Sequence, residues 1–309
     1  MNFDRCVPRK SVHKAVDSEV LLTDAVRLGD DRFTVAARWH RDHYLAHHGG
    51  PAADPVLLME TARQAAIHLS HRFLDVEYGM PFVLSEISAE LFETLPPVRE
   101  DHLAVVLDVV CRRPAEGARR LRLEIEADVL VRHRRVGRVG VCWEPMAPRR
   151  YALLRRRGGQ EPGAVPSHPT PSRDPLWPAR VGQIAERDVL IADDSLRKNR
   201  WWLRLDREHP VLFDHDCDHV PGMALVEAFR QAAGVAAADN RPGASGVTLL
   251  TVVFSAFGEL DAPVSITAES VTSGGTAAIR AHQGDRELAF ATVRCGAVDS
   301  VLGRLEAAC

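Results

Sequence analysis

Two stretches of the chain are apolar on nearly every side when read at helical spacing. Val56 to Leu69 and Met223 to Ala237 each predict a single helix of about four turns. A helix without a polar face is enclosed by other structure instead of lying on a surface. Each stretch therefore predicts the centre of a folded unit.

Shorter apolar and β-branched runs flank each predicted helix in the same order. Two runs and a loop rich in His and Asp come before the helix, and about four runs follow it. The runs of the first half are 19–24, 32–39, 82–95, 103–111, 121–131 and 136–143, and those of the second half are 188–193, 201–205, 247–260, 264–271, 276–281 and 288–295. Gly284-Asp285 predicts a hairpin turn. The pattern predicts an α+β fold, a double hotdog of two tandem repeats, each with a central apolar helix wrapped by a curved antiparallel sheet.

Proline crowding separates the two halves. Eight prolines and several glycines lie between residues 145 and 178, a composition that predicts neither helix nor strand. We therefore predict an N-terminal hotdog repeat over 1–146, a Pro/Gly/Arg-rich linker over 147–179 and a C-terminal hotdog repeat over 180–309.

The two predicted helices carry the same three polar residues at the same spacing. These are Glu60, Arg63 and Gln64 in the first helix and Glu227, Arg230 and Gln231 in the second. Two copies in matching contexts indicate an internal duplication. The chain is then an internal pseudo-dimer, and further assembly into a homo-oligomer is left open.

Composition and charge narrow the class of protein. The 309 residues are 46% hydrophobic and 26% charged, with a formal net charge of −3, which is typical of a soluble globular protein. This balance predicts no binding to nucleic acid or membrane, and no apolar run reaches the length of a bilayer span. No secretory signal is evident, and the six cysteines are scattered. We therefore predict a cytoplasmic protein with reduced thiols.

The densest polar stretch is the loop over residues 209–222, before the second helix. It holds His215, Asp218 and His219 and ends in the turn Pro221-Gly222. N–H groups at a helix start attract negative charge or a carbonyl oxygen. The loop and the helix start therefore predict a site for acid/base chemistry.

Glu227 lies within about two turns of this helix start. Burial in an apolar helix raises the pKa of a carboxyl group unless a neighbouring charge, here Arg230, offsets it. Glu227 is thus a candidate general acid or base, with His215 as its partner. The alternative is that Glu227 and Arg230 form a buried ion pair with a structural role.

Two other chemistries are weaker in this loop. His215 and His219, with Asp214 and Asp218, have the spacing of metal ligands, but a loop that ends in Pro-Gly is not the helix that such spacing requires. Cys217 beside His215 is a conceivable nucleophile. We predict no metal and no cofactor.

The first half repeats this arrangement less completely. His47 and His48 precede the first helix, and one of them is a candidate counterpart of His215. Arginine clusters near 112, 119, 132–135 and 155–157 are solvated surface or, alternatively, an electropositive rim for a phosphate or an acidic protein.

At these residues the chain resembles the A-factor biosynthesis (AfsA-type) hotdog family, the γ-butyrolactone autoregulator synthases. The segments Val12-His13-Lys14, Glu19 to Asp24, Asp54 to Gln64, and Phe213 to Met223 carry the resemblance. It implies transfer of a β-ketoacyl group from acyl carrier protein, or CoA, to the hydroxyl of dihydroxyacetone phosphate. The ester then closes to a butenolide phosphate by an intramolecular aldol-type condensation.

The chain is more distantly similar to the 3-hydroxyacyl-carrier-protein dehydratases, whose His and acid come from opposite protomers. By that analogy the pairs here are His215 with Glu60 or His48 with Glu227; pairing within one half stays open. The candidate catalytic residues are His215, Glu227, Glu60, His48, Asp218 and His219. The candidate substrate-binding residues are Arg63, Gln64, Arg230, Gln231 and Gly222.

The resulting prediction is an acyltransferase whose partners are a β-ketoacyl-acyl carrier protein or acyl-CoA and dihydroxyacetone phosphate. His215 with a Glu deprotonates the acceptor hydroxyl, and N–H groups at the start of the second helix stabilise the oxyanion. Arg63, Arg230 or the rim arginines hold the phosphate. Two alternatives are a hotdog dehydratase or thioesterase acting on carrier-bound acyl chains, and a non-catalytic regulator that binds an acyl lactone. The regulator is less favoured because no helix-turn-helix pattern is evident.

Overall fold

A computed structural model describes residues 1–45, 54–98, 102–115, 120–158, 174–240, 246–269 and 275–296. These residues form two compact units. The first contains the described residues up to Met146, and the second contains those from Ala147 to Gly296.

The first unit contains one long helix and six strands. Its elements in chain order are β1 (Leu22–Arg27), β2 (Arg32–Trp39), α1 (Pro55–Phe73), β3 (Phe82–Leu91), β4 (Leu103–Arg112), β5 (Leu123–Val131) and β6 (Arg134–Pro145). Two short 3₁₀ helices, Arg9–Val12 and Asp17–Glu19, precede β1. The strands are antiparallel and lie in the order β1-β2-β4-β5-β6-β3.

The sequence of α1 explains both its start and its burial. Asp54 caps the helix by accepting a hydrogen bond from the N–H of Val56 at 2.7 Å, and Pro55 at the first position has no N–H to leave unsatisfied. From Val56 to Ser70, every residue except Arg63 is buried. The strands supply the other side of this core, since residues alternate between buried and half-buried along β4.

The second unit repeats this plan and adds one helix. Its elements are α2 (Pro148–Gly158), β7 (Ile191–Asp193), β8 (Arg200–Leu203), α3 (Gly222–Asn240), β9 (Val247–Phe254), β10 (Ser265–Ala268), β11 (Thr276–Gln283) and β12 (Arg286–Cys295). The 3₁₀ helices Pro178–Val181 and Glu186–Asp188 precede β7. The strands are again antiparallel, in the order β7-β8-β10-β11-β12-β9, which matches the order in the first unit.

The predicted double hotdog is confirmed. In each unit one buried helix packs on an antiparallel sheet, and Gly284-Asp285 forms the predicted hairpin turn, with Gly284 at a positive φ of 60°. Several runs form shorter strands than predicted: β3 ends at Leu91, β9 ends at Phe254, β7 begins at Ile191 and β10 ends at Ala268.

One prediction about the linker is wrong. Residues 145–178 were expected to hold neither helix nor strand, yet α2 occupies Pro148–Gly158. Pro148 at the first helical position favours a helix there, because the missing N–H costs nothing at a helix start. The repeat and linker boundaries themselves stay predictions. Within the described ranges, no helix has the length and apolar character needed to cross a bilayer.

Candidate active site

The duplicated Glu-Arg-Gln motif forms a buried cluster in the first unit. We call Lys14, Glu60, Arg63 and Gln64 the first helix cluster. Glu60 is fully buried, and its carboxylate accepts hydrogen bonds from Arg63 at 2.8 and 2.9 Å and from Gln64 at 2.9 Å. The Nζ of Lys14 lies 3.3 Å from the same carboxylate.

Gln64 joins this cluster to the start of the sheet. Its side-chain amide donates to the carbonyl of Glu19 at 2.8 Å and accepts from the N–H of Leu21 at 2.9 Å. Both groups lie just before β1, where the backbone is buried and needs partners. The polar face of α1 therefore attaches the helix to the segment that leads into the first strand.

The second unit builds the same arrangement with one replacement. We call Gln183, Glu227, Arg230 and Gln231 the second helix cluster. The buried carboxylate of Glu227 accepts from Arg230 at 2.6 and 2.8 Å, from Gln231 at 2.8 Å and from Gln183 at 2.9 Å. Gln183 thus stands where the first cluster has Lys14.

The backbone contacts of the second cluster repeat as well. Gln231 donates to the carbonyl of Asp188 at 2.8 Å and accepts from the N–H of Leu190 at 2.9 Å. These are the counterparts of the contacts that Gln64 makes to Glu19 and Leu21. The repeat therefore extends beyond the motif to the hydrogen bonds that it makes.

Charge neutralisation decides the state of Glu60. Burial by itself raises the pKa of this carboxyl, but the charges of Arg63 and Lys14 and the hydrogen bonds that it accepts hold the pKa well below its usual value. Glu60 is consequently ionised at neutral pH. The positive charges beside Glu60 thus outweigh the effect of burial on its pKa.

The loop before α3 contains two His–Asp pairs between neighbouring residues, besides the buried His209 that pairs with Asp188 at 3.0 Å. The first of the two is centred on His215. Its Nδ1 lies 2.6 Å from Oδ1 of Asp214, whose side chain is buried, and its Nε2 lies 3.8 Å from Sγ of Cys217. The hydrogen bonds to Asp214 and Cys217 raise the pKa of His215 to about 9, against the lowering effect of partial burial. His215 is therefore an imidazolium at neutral pH.

The second pair is His219 with Asp218, and helix α2 holds it. Nδ1 of His219 lies 2.6 Å from Oδ1 of Asp218, and the hydroxyl of Tyr151 donates to the same oxygen at 3.1 Å. Arg155 donates to Oδ2 of Asp218 at 3.1 Å and to its backbone carbonyl at 2.7 Å. Tyr151 and Arg155 share one face of α2 at i, i+4 spacing.

Phe257 and Glu259, which follow β9 in the chain, also contact the groups around His219 and Asp218. Arg155 forms a two-pronged ion pair with Glu259, both contacts at 2.9 Å. The ring of Phe257 meets His219 edge to face at 4.8 Å, and the guanidinium of Arg155 lies 5.1 Å from the same ring. The segment after β9 and helix α2 therefore enclose His219 from two sides.

These contacts shift two further pKa values. Burial raises the pKa of Asp218, but the hydrogen bonds from His219 and Arg155 outweigh it and lower the pKa to about 2. Burial and the neighbouring Asp218 raise the pKa of Tyr151 to about 12. Asp218 is thus a carboxylate and Tyr151 a neutral hydrogen-bond donor at neutral pH.

A backbone hydrogen bond attaches the loop before α3 to Gly258, in the segment after β9. The N–H of Val220 donates to the Gly258 carbonyl at 2.8 Å. A Cβ at Gly258 would lie 2.7 Å from a methyl group of Leu288 and 3.0 Å from one of Val220. Glycine at this position therefore permits the close approach that brings His219 toward Phe257.

The structure groups some predicted site residues and separates others into different networks. His215 is bonded to Asp214 and Cys217, whereas the carboxylate of Glu227 is bonded within its own helix cluster. Gly222, expected in the turn that leads into the helix, is the first residue of α3. His48 lies outside the described residues. The site assignment, including the pairings of His215 with Glu60 and of His48 with Glu227, stays a prediction.

Several residues of the arrangement were missed at the sequence level. The sequence indicates Asp214 individually only as a metal ligand, and it does not single out Tyr151, Arg155, Phe257 or Glu259. The i, i+4 spacing of Tyr151 and Arg155 was the available signal, but it lay in a region interpreted as a linker. Phe257 and Glu259 are far away in sequence and carry no signal. Among the described side chains, no group of three or more His, Cys, Asp or Glu is placed to hold a metal ion.

In the first unit, arginines of the expected electropositive rim form ion pairs with glutamates. Arg112 contacts Glu124 and Glu126, and Arg134 contacts Glu93. These are exposed ion pairs on the sheet, each of small energetic value. Their charge is therefore largely balanced by neighbouring carboxylates.

Comparison with known proteins agrees with the resemblance at the helix motifs. The family model described as "AfsA: A-factor biosynthesis hotdog domain" matches residues 2–146 and 165–299. A relative from Streptomyces virginiae, named 2-oxo-3-(phosphooxy)propyl 3-oxoalkanoate synthase, is 35% identical over 283 residues, which is 91% of each chain. A relative of the same name from Streptomyces coelicolor is 30% identical over 301 residues, 94% of this chain and 91% of its own.

A solved structure shares the fold. The 12:0-ACP thioesterase from Umbellularia californica aligns with a TM-score of 0.53 and 10% identity, over 87% of this chain and 98% of its own. At that identity the likeness concerns the fold alone.

Proposed function

Because the chain belongs to the A-factor biosynthesis hotdog family, we propose that it transfers a 3-oxoacyl group to dihydroxyacetone phosphate. One observation carries this proposal: the 35% identity to the Streptomyces virginiae synthase extends over 91% of both chains. The name of that relative describes an ester between a 3-oxoalkanoate and the hydroxyl of dihydroxyacetone phosphate. The reaction class is therefore acyl transfer to oxygen.

The acyl donor is a thioester, either on acyl carrier protein or on CoA. In the net reaction the oxygen of the acceptor hydroxyl forms a bond to the acyl carbon, and the hydroxyl loses its proton. The carrier thiol leaves, and the proton ends on it. The reaction therefore needs a group that moves protons and a donor for the transient oxyanion.

His215 is the proton-moving group in this proposal. Asp214 bonds to its Nδ1 at 2.6 Å, which directs Nε2 away from the carboxylate, and half of the His215 side chain is exposed. N–H groups in the first turn of α3, at Gly222 and beyond, are the proposed oxyanion donors. This assigns the orienting role to Asp214 in place of Glu227.

Glu60 and Glu227 have a positioning role in the proposal. Each carboxylate is fully buried and accepts hydrogen bonds from an arginine and a glutamine of its own helix. The carboxylate of Glu60, whose pKa is held well below its usual value, is a poor proton carrier at neutral pH. The binding of the phosphate by Arg63 or Arg230 stays a prediction. It requires one guanidinium to donate hydrogen bonds both to the glutamate of its helix and to the phosphate.

The product assay tests the function. Purified protein is incubated with 3-oxoacyl thioesters of several chain lengths, with and without dihydroxyacetone phosphate, and products are identified by mass spectrometry. The expected result is an ester, or the butenolide phosphate derived from it, formed only with acceptor. Free acid released at the same rate without acceptor would instead indicate a thioesterase, and water loss from a 3-hydroxyacyl thioester a dehydratase.

Variants in the same assay test the site. His215→Asn should lower kcat by about 10²- to 10⁴-fold, the usual contribution of a proton-transferring residue. The matched control is His282→Asn, a part-exposed histidine on β11 of the same unit. If His215→Asn retained wild-type turnover, the role of His215 would be wrong even where the product is the expected one.

A further inference from the structure

We propose that Cys217 is a nucleophile that carries the acyl group as a thioester before dihydroxyacetone phosphate receives it. This inference rests on the proposed function and deepens it. Transfer then occurs in two covalent steps at one loop, the first releasing the carrier thiol and the second forming the product ester.

The geometry of residues 214–217 carries the inference. Oδ1 of Asp214 lies 2.6 Å from Nδ1 of His215, and Nε2 of the same ring lies 3.8 Å from Sγ of Cys217. A buried carboxylate, an imidazole and a thiol are thereby aligned in the order orienting group, base and nucleophile. Cys217 is half-buried, so a carrier-bound substrate can reach its sulfur.

The other cysteines have different surroundings. Of the five that the structure describes, Cys111, Cys142 and Cys295 are buried. Burial raises the pKa of Cys111 to about 11 and also raises that of Cys295, which makes both unreactive. Cys6 is half-buried like Cys217, but its thiol bonds to the carbonyl of Val20 at 3.5 Å. Cys217 thus has an imidazole partner where Cys6 has a carbonyl.

The charge of His215 favours a covalent route over direct transfer. With a pKa of about 9, the ring is mostly an imidazolium at neutral pH. An imidazolium cannot accept the proton of the acceptor hydroxyl. It can, however, stabilise a thiolate beside it and later donate its proton to a leaving group.

The first step uses the thiolate form of Cys217 beside the imidazolium. The Cys217 thiolate attacks the carbonyl carbon of the donor thioester, so that a new C–S bond forms to Cys217. The C–S bond to the carrier breaks, and the carrier thiol leaves with the proton of His215. His215 is now neutral.

The second step restores the starting state. Neutral His215 accepts the proton of the dihydroxyacetone phosphate hydroxyl as its oxygen attacks the acyl group. A C–O bond forms and the C–S bond to Cys217 breaks. The products are the ester, the Cys217 thiolate and the His215 imidazolium, and no further reactant is consumed.

Mass spectrometry of the quenched wild-type protein tests the intermediate directly. The protein is mixed with a 3-oxoacyl thioester of CoA without acceptor, quenched in acid within seconds, and measured intact and after digestion. We expect one acyl group added to the peptide that contains Cys217. Addition of dihydroxyacetone phosphate before the quench should remove it and release the product.

Two cysteine variants provide the matched comparison. Cys217→Ala should lose the adduct and lower kcat on the order of 10³-fold or more. Cys6→Ala removes the other half-buried cysteine and should keep both the adduct and the turnover. Melting temperatures of the two variants show whether either has lost its fold.

Steady-state kinetics of the wild-type protein keep the inference testable even if Cys217→Ala does not fold. A covalent intermediate predicts parallel lines in double-reciprocal plots against donor and acceptor. Intersecting lines, or a folded Cys217→Ala with turnover within two-fold of wild type, would overturn it. Failure of the proposed function is distinct: the wild type then forms no ester with any 3-oxoacyl donor, whether or not Cys217 becomes acylated.

Discussion

At the scale of the residue, the partners of a carboxylate decide its chemistry more than its burial does. The side chains of Glu60 and Asp214 are both buried, but Glu60 faces Arg63 and Lys14, whereas Asp214 faces His215. The first carboxylate is neutralised within a helix cluster. The carboxylate of Asp214 instead sets the charge and the orientation of the exposed imidazole of His215. Only the second arrangement leaves a group that can exchange protons with a substrate.

Asp214→Asn tests the link between this carboxylate and its histidine. The hydrogen bond to Asp214 is the largest cause that raises the pKa of His215 to about 9. The neutral amide removes the charge, so the pKa of His215 should fall toward its usual 6.5. NMR titration of the His215 ring protons measures the shift.

The control for this titration is Asp216→Asn, which makes the same charge change in the same loop. Asp216 is exposed. The pKa of His215 should therefore change little in this variant. Equal shifts in both variants would show that general loop charge, and not the Asp214 hydrogen bond, sets the pKa.

At the scale of the element, each helix cluster joins a central helix to the segment before the first strand of its unit. Gln64 and Gln231 make this connection through one donated and one accepted backbone hydrogen bond each. The two clusters differ at one position, where Lys14 in the first corresponds to Gln183 in the second. The second unit thus shows that an uncharged donor suffices there.

This comparison predicts the effect of changing Lys14. Lys14→Gln should lower the free energy of unfolding by less than about 1 kcal/mol, because the amide can donate to Glu60 as Gln183 does to Glu227. Lys14→Met has a similar length but no donor, and should cost about 1–3 kcal/mol. Urea denaturation of both variants measures the difference. Equal losses would mean that charge, and not hydrogen bonding, matters at this position.

Helix α2 is the element that the sequence pattern does not predict. Prolines dominate the composition of 145–178 and concealed a helix that begins at Pro148. Tyr151 and Arg155 gain their role from contact with Asp218, more than sixty residues away. Local composition carries no information about such a contact. A region rich in proline therefore conceals a helix whose side chains hold one of the two His–Asp pairs.

At the scale of the whole molecule, two units share one strand order and one helix cluster design. β1-β2-β4-β5-β6-β3 in the first unit corresponds to β7-β8-β10-β11-β12-β9 in the second. The His–Asp pairs before the two central helices nevertheless differ in the described residues. The second unit has His215 with Asp214 and His219 with Asp218 before α3, and the first unit has His43 with Asp54 at 3.3 Å before α1, while residues 46–53 lie outside the described ranges.

Acid stability of the chain should depend on Glu60. Its pKa is lowered in the folded state, so its stabilising contribution is present above its usual value near 4.5 and is lost as the pH falls below it. One such group changes the free energy of unfolding by at most about 1.4 kcal/mol per pH unit. Glu60→Gln should therefore flatten the loss of stability between about pH 5 and pH 3, measured as urea midpoints.

Asp218→Asn is the comparison for this loss of stability at low pH, which we call the acid limb of the stability curve. The pKa of Asp218 is also lowered, to about 2, but more than half of its side chain is exposed and solvent screens its interactions. The acid limb of this variant should stay close to that of the wild type. A larger flattening in Asp218→Asn than in Glu60→Gln would contradict the assignment of acid stability to the buried cluster.

The sequence by itself determined the repeated architecture, because hydrophobic periodicity and local turn residues are short-range properties. Two apolar helices, the runs around them and the recurring Glu-Arg-Gln motif were enough to predict two hotdog repeats, and the resemblance at short sequence segments identified the family. The tertiary structure decided which polar residues act together. It placed Gln183 within hydrogen-bond distance of Glu227, and Tyr151 and Arg155 within hydrogen-bond distance of Asp218. Charge and hydrogen bonding depend on distances of a few ångströms between residues far apart in the chain, and only the folded backbone sets those distances.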